Sequence, residues 1–252
     1  MDINPTPRRV AVTPVQRYLF VLVIVPVACA VTVLIVYNVF LNEAVAFTCA
    51  VICLLAMVIL PHASRFLLFV VAAFLLSIVG DLFMINRASE LNFIVGIAVF
   101  FLAHVSFLVY AFKIIKLTWP VAAIITVPYL VFYFVALLPS PGLAGQTVLA
   151  IAALVYLLVS CVSCSVAVSG VVRTPHSPSR WFFAAGIASL MVSDTFIAMG
   201  DFMKISSVSP FMMPLYYLAH VLIALSVTVD RAPEQSAPAR LATTDARQEV
   251  TR

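Results

Sequence analysis

Apolar positions in this chain run on without the regular polar interruptions of a half-buried helix or strand, and the runs have membrane-crossing length. Eight of them stand out: Tyr18–Phe40, Ala44–Leu60, Phe66–Ile85, Phe93–Phe112, Trp119–Leu138, Thr147–Val168, Trp181–Met199 and Phe211–Val229. Each has the roughly 17–25 residues that a spanning helix needs. The connections are short, so successive spans are expected to pack as antiparallel neighbours. Two carboxylates break the apolar pattern in matched places. Asp81 stands in the third run and Asp194 in the seventh, and each is followed by the string Leu-Ala-His-Val, at 102–105 and 218–221. Asp81 precedes His104 by 23 positions and Asp194 precedes His220 by 26.

An Asp-bearing helix followed by a His-bearing helix therefore occurs once in each half. With four spans per half the two units have the same orientation, related by an axis along the membrane normal. The predicted fold class is an all-α integral membrane protein of eight transmembrane helices arranged as two parallel four-helix repeats. Its halves cover about 18–112 and 119–229, with a tail at 1–17 and a disordered tail at 230–252. Counting at ~1.5 Å per residue from the inner ends of the spans puts Asp81 roughly 22 Å and Asp194 roughly 20 Å up. His104 and His220 come out at roughly 12 and 14 Å, so each histidine is expected some 6–10 Å below its aspartate.

Composition agrees with this class: 64% of residues are hydrophobic, 10% are charged, and the mean hydropathy is +1.18. Twelve of the fourteen basic residues fall in the two tails and the even-numbered connections, leaving only Arg87 and Lys204 on the other face. The positive-inside rule then makes both termini cytoplasmic in a multi-pass cell-membrane protein. The net charge of +4 is an orientation signal and implies no nucleic-acid partner. The first run is read as a retained span; Pro26 spoils a lipobox ending at Cys29, and the run continues past it. All five cysteines lie inside runs, and Cys161-x-x-Cys164 is interleaved with serines as close helix packing prefers.

A buried carboxylate in lipid is costly enough to mark function, and a matched pair sharpens the case. The plainer reading, water reaching both groups from the outer face, is opposed by the apolar residues that continue beyond each. For His104 and His220, helix-interface hydrogen bonding and a role at the site remain open together. Two Asp and two His could ligate a transition metal only if they converged, so no metal or other cofactor is expected.

The segments Phe74–Met84 and Ser189–Met199, the pair Ala103-His104, and Tyr216–Ser226 together resemble the YhhN/TMEM86 family of lysoplasmalogenases, over nearly the whole chain. The departures are His220 where Gln is usual, Gly200 where Asn often stands, and no basic-Pro pattern in 42–60. The resemblance implies a hydrolase that cleaves the vinyl ether of a lysophospholipid, the lysoplasmalogen, to a fatty aldehyde and glycerophospho-choline or -ethanolamine. The bilayer would be its medium and Asp81 and Asp194 its catalytic pair. That chemistry suits two carboxyl groups: one protonates the β-carbon and the other stays ionised, steadies the oxocarbenium ion and orients water. One assignment makes Asp81 the acid and Asp194, between the Ser193 and Thr195 hydroxyls, the ionised partner. Ser77, one turn before Asp81, and Tyr216 and Tyr217, one turn before His220, could line the cavity. Proton-coupled transport of a small molecule or lipid is the competing class, since paired intramembrane carboxylates serve carriers too. Two-aspartate proteolysis ranks below it, because Ile78 stands where that signature has Gly and no Pro-Ala-Leu follows.

Overall fold

The structure, a computed structural model, describes residues 66–85 and 89–229 together with Ala50, Val51 and Cys53. Over these residues it is all-helical: α1 Leu67–Ile85, α2 Glu90–Ile114, α3 Trp119–Phe132 running into a π-helical turn Tyr133–Leu137, α4 Thr147–Arg173, α5 Pro178–Asp201 and α6 Ser209–Val229. Among the described residues, six helices are long and apolar enough to cross a membrane. They correspond to the third to eighth expected spans. The first two spans, apart from Ala50, Val51 and Cys53, and the tails at 1–17 and 230–252 lie outside the described residues.

Local signals set the boundaries. Pro178 opens α5, and the Ser177 side chain caps it by accepting from the Arg180 amide. Pro175 bars Thr174 from helical geometry and so ends α4. The helices continue past the apolar runs at the basic end, taking in Lys113, Arg173 and Arg180. There Arg180 donates to the Ile114 carbonyl and Arg173 to the Thr118 hydroxyl. Trp119 and Trp181 are exposed at the same end, as in an interfacial aromatic belt.

Each helix sorts its residues by face. On α1, Leu68, Leu75 and Leu82 point outward at seven-residue intervals, while Val70, Phe74, Ser77, Asp81 and Met84 are buried. Asp81 is therefore on the inner stripe, 4% exposed. On α6, Tyr216, Ala219, His220, Ile223 and Val227 form the corresponding stripe. The two most extensive helix interfaces are α1 with α2 and α5 with α6, and α4 packs against α2, α3 and α5. Small residues allow the close approaches: a Cβ on Gly186 would stand 2.7 Å from Ile223 Cγ1 and 3.1 Å from the Ala219 carbonyl. An edge-on cluster of Phe74, Phe107 and His220 knits α1, α2 and α6 together.

Two helices are less regular than the apolar runs imply. Pro128 interrupts α3 ahead of the π turn, which Tyr133 ties to α4 by donating to the Ala150 carbonyl at 2.7 Å. Pro214 also lies inside a helix, because α6 begins at Ser209. Beyond the π turn the loop folds over the end of α5. The Gly142 amide donates to the Phe202 carbonyl at 2.9 Å, and a Cβ on Gly142 would come within 2.6 Å of the Phe202 backbone.

Candidate active site

The inner stripes of α1, α2, α5 and α6 converge on a small chamber of about 30 Å³. Ser77 and Asp81 reach it from α1, His104 from α2, Ser193 and Asp194 from α5, and Tyr216 from α6. The two aspartates thus share one cavity between α1 and α5. At about 10–15 Å³ of accessible space per water, there is room for about two water molecules.

The carboxylates have different neighbours. Asp81 is faced by the Tyr216 hydroxyl, which also faces Ser77. Asp194 is faced by His104, whose Nε2 stands 3.0 Å from Oδ2. That is ion-pair distance, but the ring N–H does not point along the N···O line, so the contact is electrostatic without hydrogen-bond alignment. The other ring nitrogen, Nδ1, is 3.1 Å from the Phe100 carbonyl and 3.2 Å from the Tyr156 hydroxyl. The Tyr156 hydroxyl also faces Asp194. Proton positions in this group are linked. If Nδ1 carries the proton it donates to Phe100, and Nε2 then meets Asp194 favourably only if the carboxyl is protonated or the imidazole is cationic. If Nε2 carries the proton, Nδ1 is free to accept from Tyr156.

Several expectations need revision. Inferred depths kept each histidine a turn or more from its aspartate, yet His104 touches Asp194, the carboxylate of the other half. Counting along each helix assumed level helix ends, and this contact shows that they are not level. The Ser193 and Thr195 hydroxyls do not serve the carboxylate between them. Ser193 donates to the Met212 carbonyl at 2.8 Å and Thr195 to the Met191 carbonyl at 2.8 Å, because neighbouring helical positions diverge by ~100°. His220 and Tyr217 line neither this chamber nor the one described next. His220 is 2% exposed; its Nδ1 lies 2.9 Å from the Tyr216 carbonyl and its ring sits edge-on to Phe74 and Tyr216. Among the described residues no three His, Cys, Asp or Glu side chains gather as a metal-holding group. Cys161 and Cys164 are buried free thiols of the core.

A larger chamber, about 110 Å³, opens on the other side of Asp194 between α2, α3, α4 and α5. The two share Met84, Phe100, Asp194 and Ile197 as a common wall. Its polar groups, Tyr129, Tyr156, Ser160, Asp194 and Thr195, collect at one end, and the rest is apolar. Tyr156 and Tyr129 were not legible as site residues. The one sequence signal for Tyr156 is its register with Ser160, Ser163 and Cys164 at i+4, i+7 and i+8, a weakly polar stripe in an apolar helix.

Among comparisons with known proteins, a model of the YhhN family matches residues 43–227. No curated protein and no solved structure matches the chain.

Proposed function

We propose, on the premise that the chain belongs to the YhhN family, that it is an integral-membrane hydrolase cleaving the vinyl ether of lysoplasmalogen-type lysophospholipids by paired-aspartate chemistry. The observation that carries the reading is that Asp81 and Asp194 line one buried, water-sized chamber while Asp194 alone of the two also faces the apolar chamber.

That arrangement favours Asp194 as the proton donor, the reverse of the assignment drawn from neighbouring residue types. The substrate's C=C–O group lies against Asp194 from the apolar side, and the carboxyl gives its proton to the β-carbon. Positive charge then develops at the ether-bearing carbon, where the two carboxylates stabilise it. Asp81 takes a proton from a water in the small chamber as the oxygen adds, giving a hemiacetal. The hemiacetal loses its hydroxyl proton to Asp194, its C–O bond breaks, and the departing alcohol oxygen takes the proton from Asp81. Both aspartates return to their starting states, one vinyl ether and one water having become one aldehyde and one alcohol. His104 stands with Nε2 3.0 Å from the Asp194 carboxyl and balances its charge, and Tyr156 holds the imidazole in place.

The architecture of the reading is eight spans in two parallel repeats, with both termini cytoplasmic. Support comes from α1–α2 and α5–α6, each an Asp-to-His hairpin and together the two largest helix interfaces. The test is to incubate purified protein with a lysoplasmalogen and with its saturated alkyl-ether analogue. Aldehyde from the first alone supports the reading; none from either overturns it. Proton uptake into proteoliposomes without aldehyde would indicate transport instead.

A further inference from the structure

We infer that the apolar chamber seats the substrate's single hydrocarbon chain, and that Ala153 and Ala198 set the length of chain it admits. The inference rests on the hydrolase reading and concerns a part of the site that the bond-breaking steps leave unused.

The chamber is elongated along α4 and α5. Its lining extends from Ser160 to Leu149 on α4 and from Met191 to Phe202 on α5, in each case 11 residue steps. At ~1.5 Å per step that is about 16 Å in all, and the 8 steps from Asp194 to Phe202, about 12 Å, lie beyond the proposed chemistry. Its polarity is graded in the required direction. Asp194, Thr195, Tyr129, Tyr156 and Ser160 stand at the inner end, beside the proposed chemistry, and only apolar side chains follow toward Phe202. The outer limit is fixed, because the Gly142 loop rests on the Phe202 backbone. Between these limits Ala153 on α4 and Ala198 on α5 present only methyl groups to a lining that also holds larger side chains such as Leu149, Leu157 and Phe132.

Selection here must be by room. A chain arriving from lipid leaves surroundings as apolar as the chamber, so seating it gains little hydrophobic free energy. Each methylene beyond the available length instead forces strain. The chamber therefore discriminates against long chains without binding short ones tightly.

The experiment compares Ala153→Phe and Ala198→Phe with the unsubstituted protein and with Val155→Phe, whose side chain is exposed on the same helix and lines neither chamber. The readout is the ratio of kcat/KM for octadecenyl over decenyl lysoplasmalogen. A ratio internal to each variant does not respond to losses in the amount of folded protein. The two alanine variants should lower it roughly 5- to 150-fold, the rate equivalent of the ~1–3 kcal/mol that over-filling a packed site costs. Val155→Phe should leave it unchanged. If either Phe variant fails to fold, Ala153→Leu or Ala198→Leu takes its place. An unchanged ratio in both alanine variants, with the unsubstituted protein active, overturns the inference and leaves the hydrolase reading standing. A second readout is thermal stabilisation by non-cleavable alkyl-ether lysolipids of the same two lengths. If no protein releases aldehyde but the alanine variants lose stabilisation by the octadecyl compound alone, the chain site holds and the hydrolase reading fails.

Discussion

Replacing Tyr156 by Phe isolates one hydroxyl at the centre of the proposed site. That oxygen lies 3.2 Å from His104 Nδ1 and also faces Asp194. The ring that remains keeps its contacts with His104, at 5.0 Å between centroids, and with Phe101, at 6.2 Å. Packing is conserved, so folding stability should change by less than about 1.5 kcal/mol, the net worth of a typical hydrogen bond. Catalysis should respond more strongly, since a hydrogen bond to a group that becomes charged is worth about 1.5–3 kcal/mol. Lost from the transition state alone, that corresponds to a roughly 10- to 150-fold fall in kcat. KM should stay within a few-fold, because the Tyr156 ring is kept at the polar end of the chamber and the apolar walls beyond it are untouched. Steady-state aldehyde release, with melting temperature as a folding control, measures all three. A Tyr156→Phe variant with kcat within about twofold of the parent would refute the idea that this hydroxyl positions His104 and Asp194. A drop confined to KM would place Tyr156 in substrate binding instead.

The two histidines should separate: His104→Gln should cost at least about tenfold in aldehyde release, as loss of a group contacting a reacting carboxyl, whereas His220→Gln should remain within a few-fold; equal effects in the same assay would contradict the site. Ser193→Ala should destabilise by about 1 kcal/mol through loss of its bond to the Met212 carbonyl while leaving kcat nearly intact, as read by thermal melting beside turnover. Gly186→Ala forces a methyl toward Ile223 and the Ala219 carbonyl and should lower stability by ~1–3 kcal/mol; an unchanged melting temperature would show that the α5–α6 approach is looser than described. A reporter fused at the C-terminus should be active only on the cytoplasmic side, and activity outside would overturn the proposed orientation.

The spans from residue 66 onward were legible because apolar runs of that length have few alternatives in any fold. Their ends were less so. Lys113, Arg173, Arg180 and the Ser209-Pro210 pair extend the helices beyond the apolar runs, which also makes Pro214 an interior residue. Asp81 and Asp194 stood out because a carboxylate in such a run needs a reason, and the repeated Leu-Ala-His-Val strings tied each to a histidine. The partner of Asp194 was not readable. Contact between His104 and Asp194 depends on how α2 and α5 are offset along the bundle, and spacing within one strand of sequence carries no information about that offset. The Ser193 and Thr195 hydroxyls illustrate the converse: sequence neighbours of a helical residue point away from it and here bond to backbone. Tyr156 was hidden because one tyrosine in an apolar helix is usually packing. Its role appears only once α4 is seen to face α2 and α5.

The most direct test is the turnover of Asp81→Asn and Asp194→Asn on a lysoplasmalogen, with fatty aldehyde quantified and folding checked by thermal melting. Asn keeps the shape of Asp and avoids burying a charge, so both variants should fold. Neither can exchange the proton that the reaction needs, so each should lose aldehyde release almost completely, by at least about the 10²-fold that a positioned acid or base contributes. Near-parental turnover by both folded Asn variants would contradict the account and move the chemistry away from the two carboxylates.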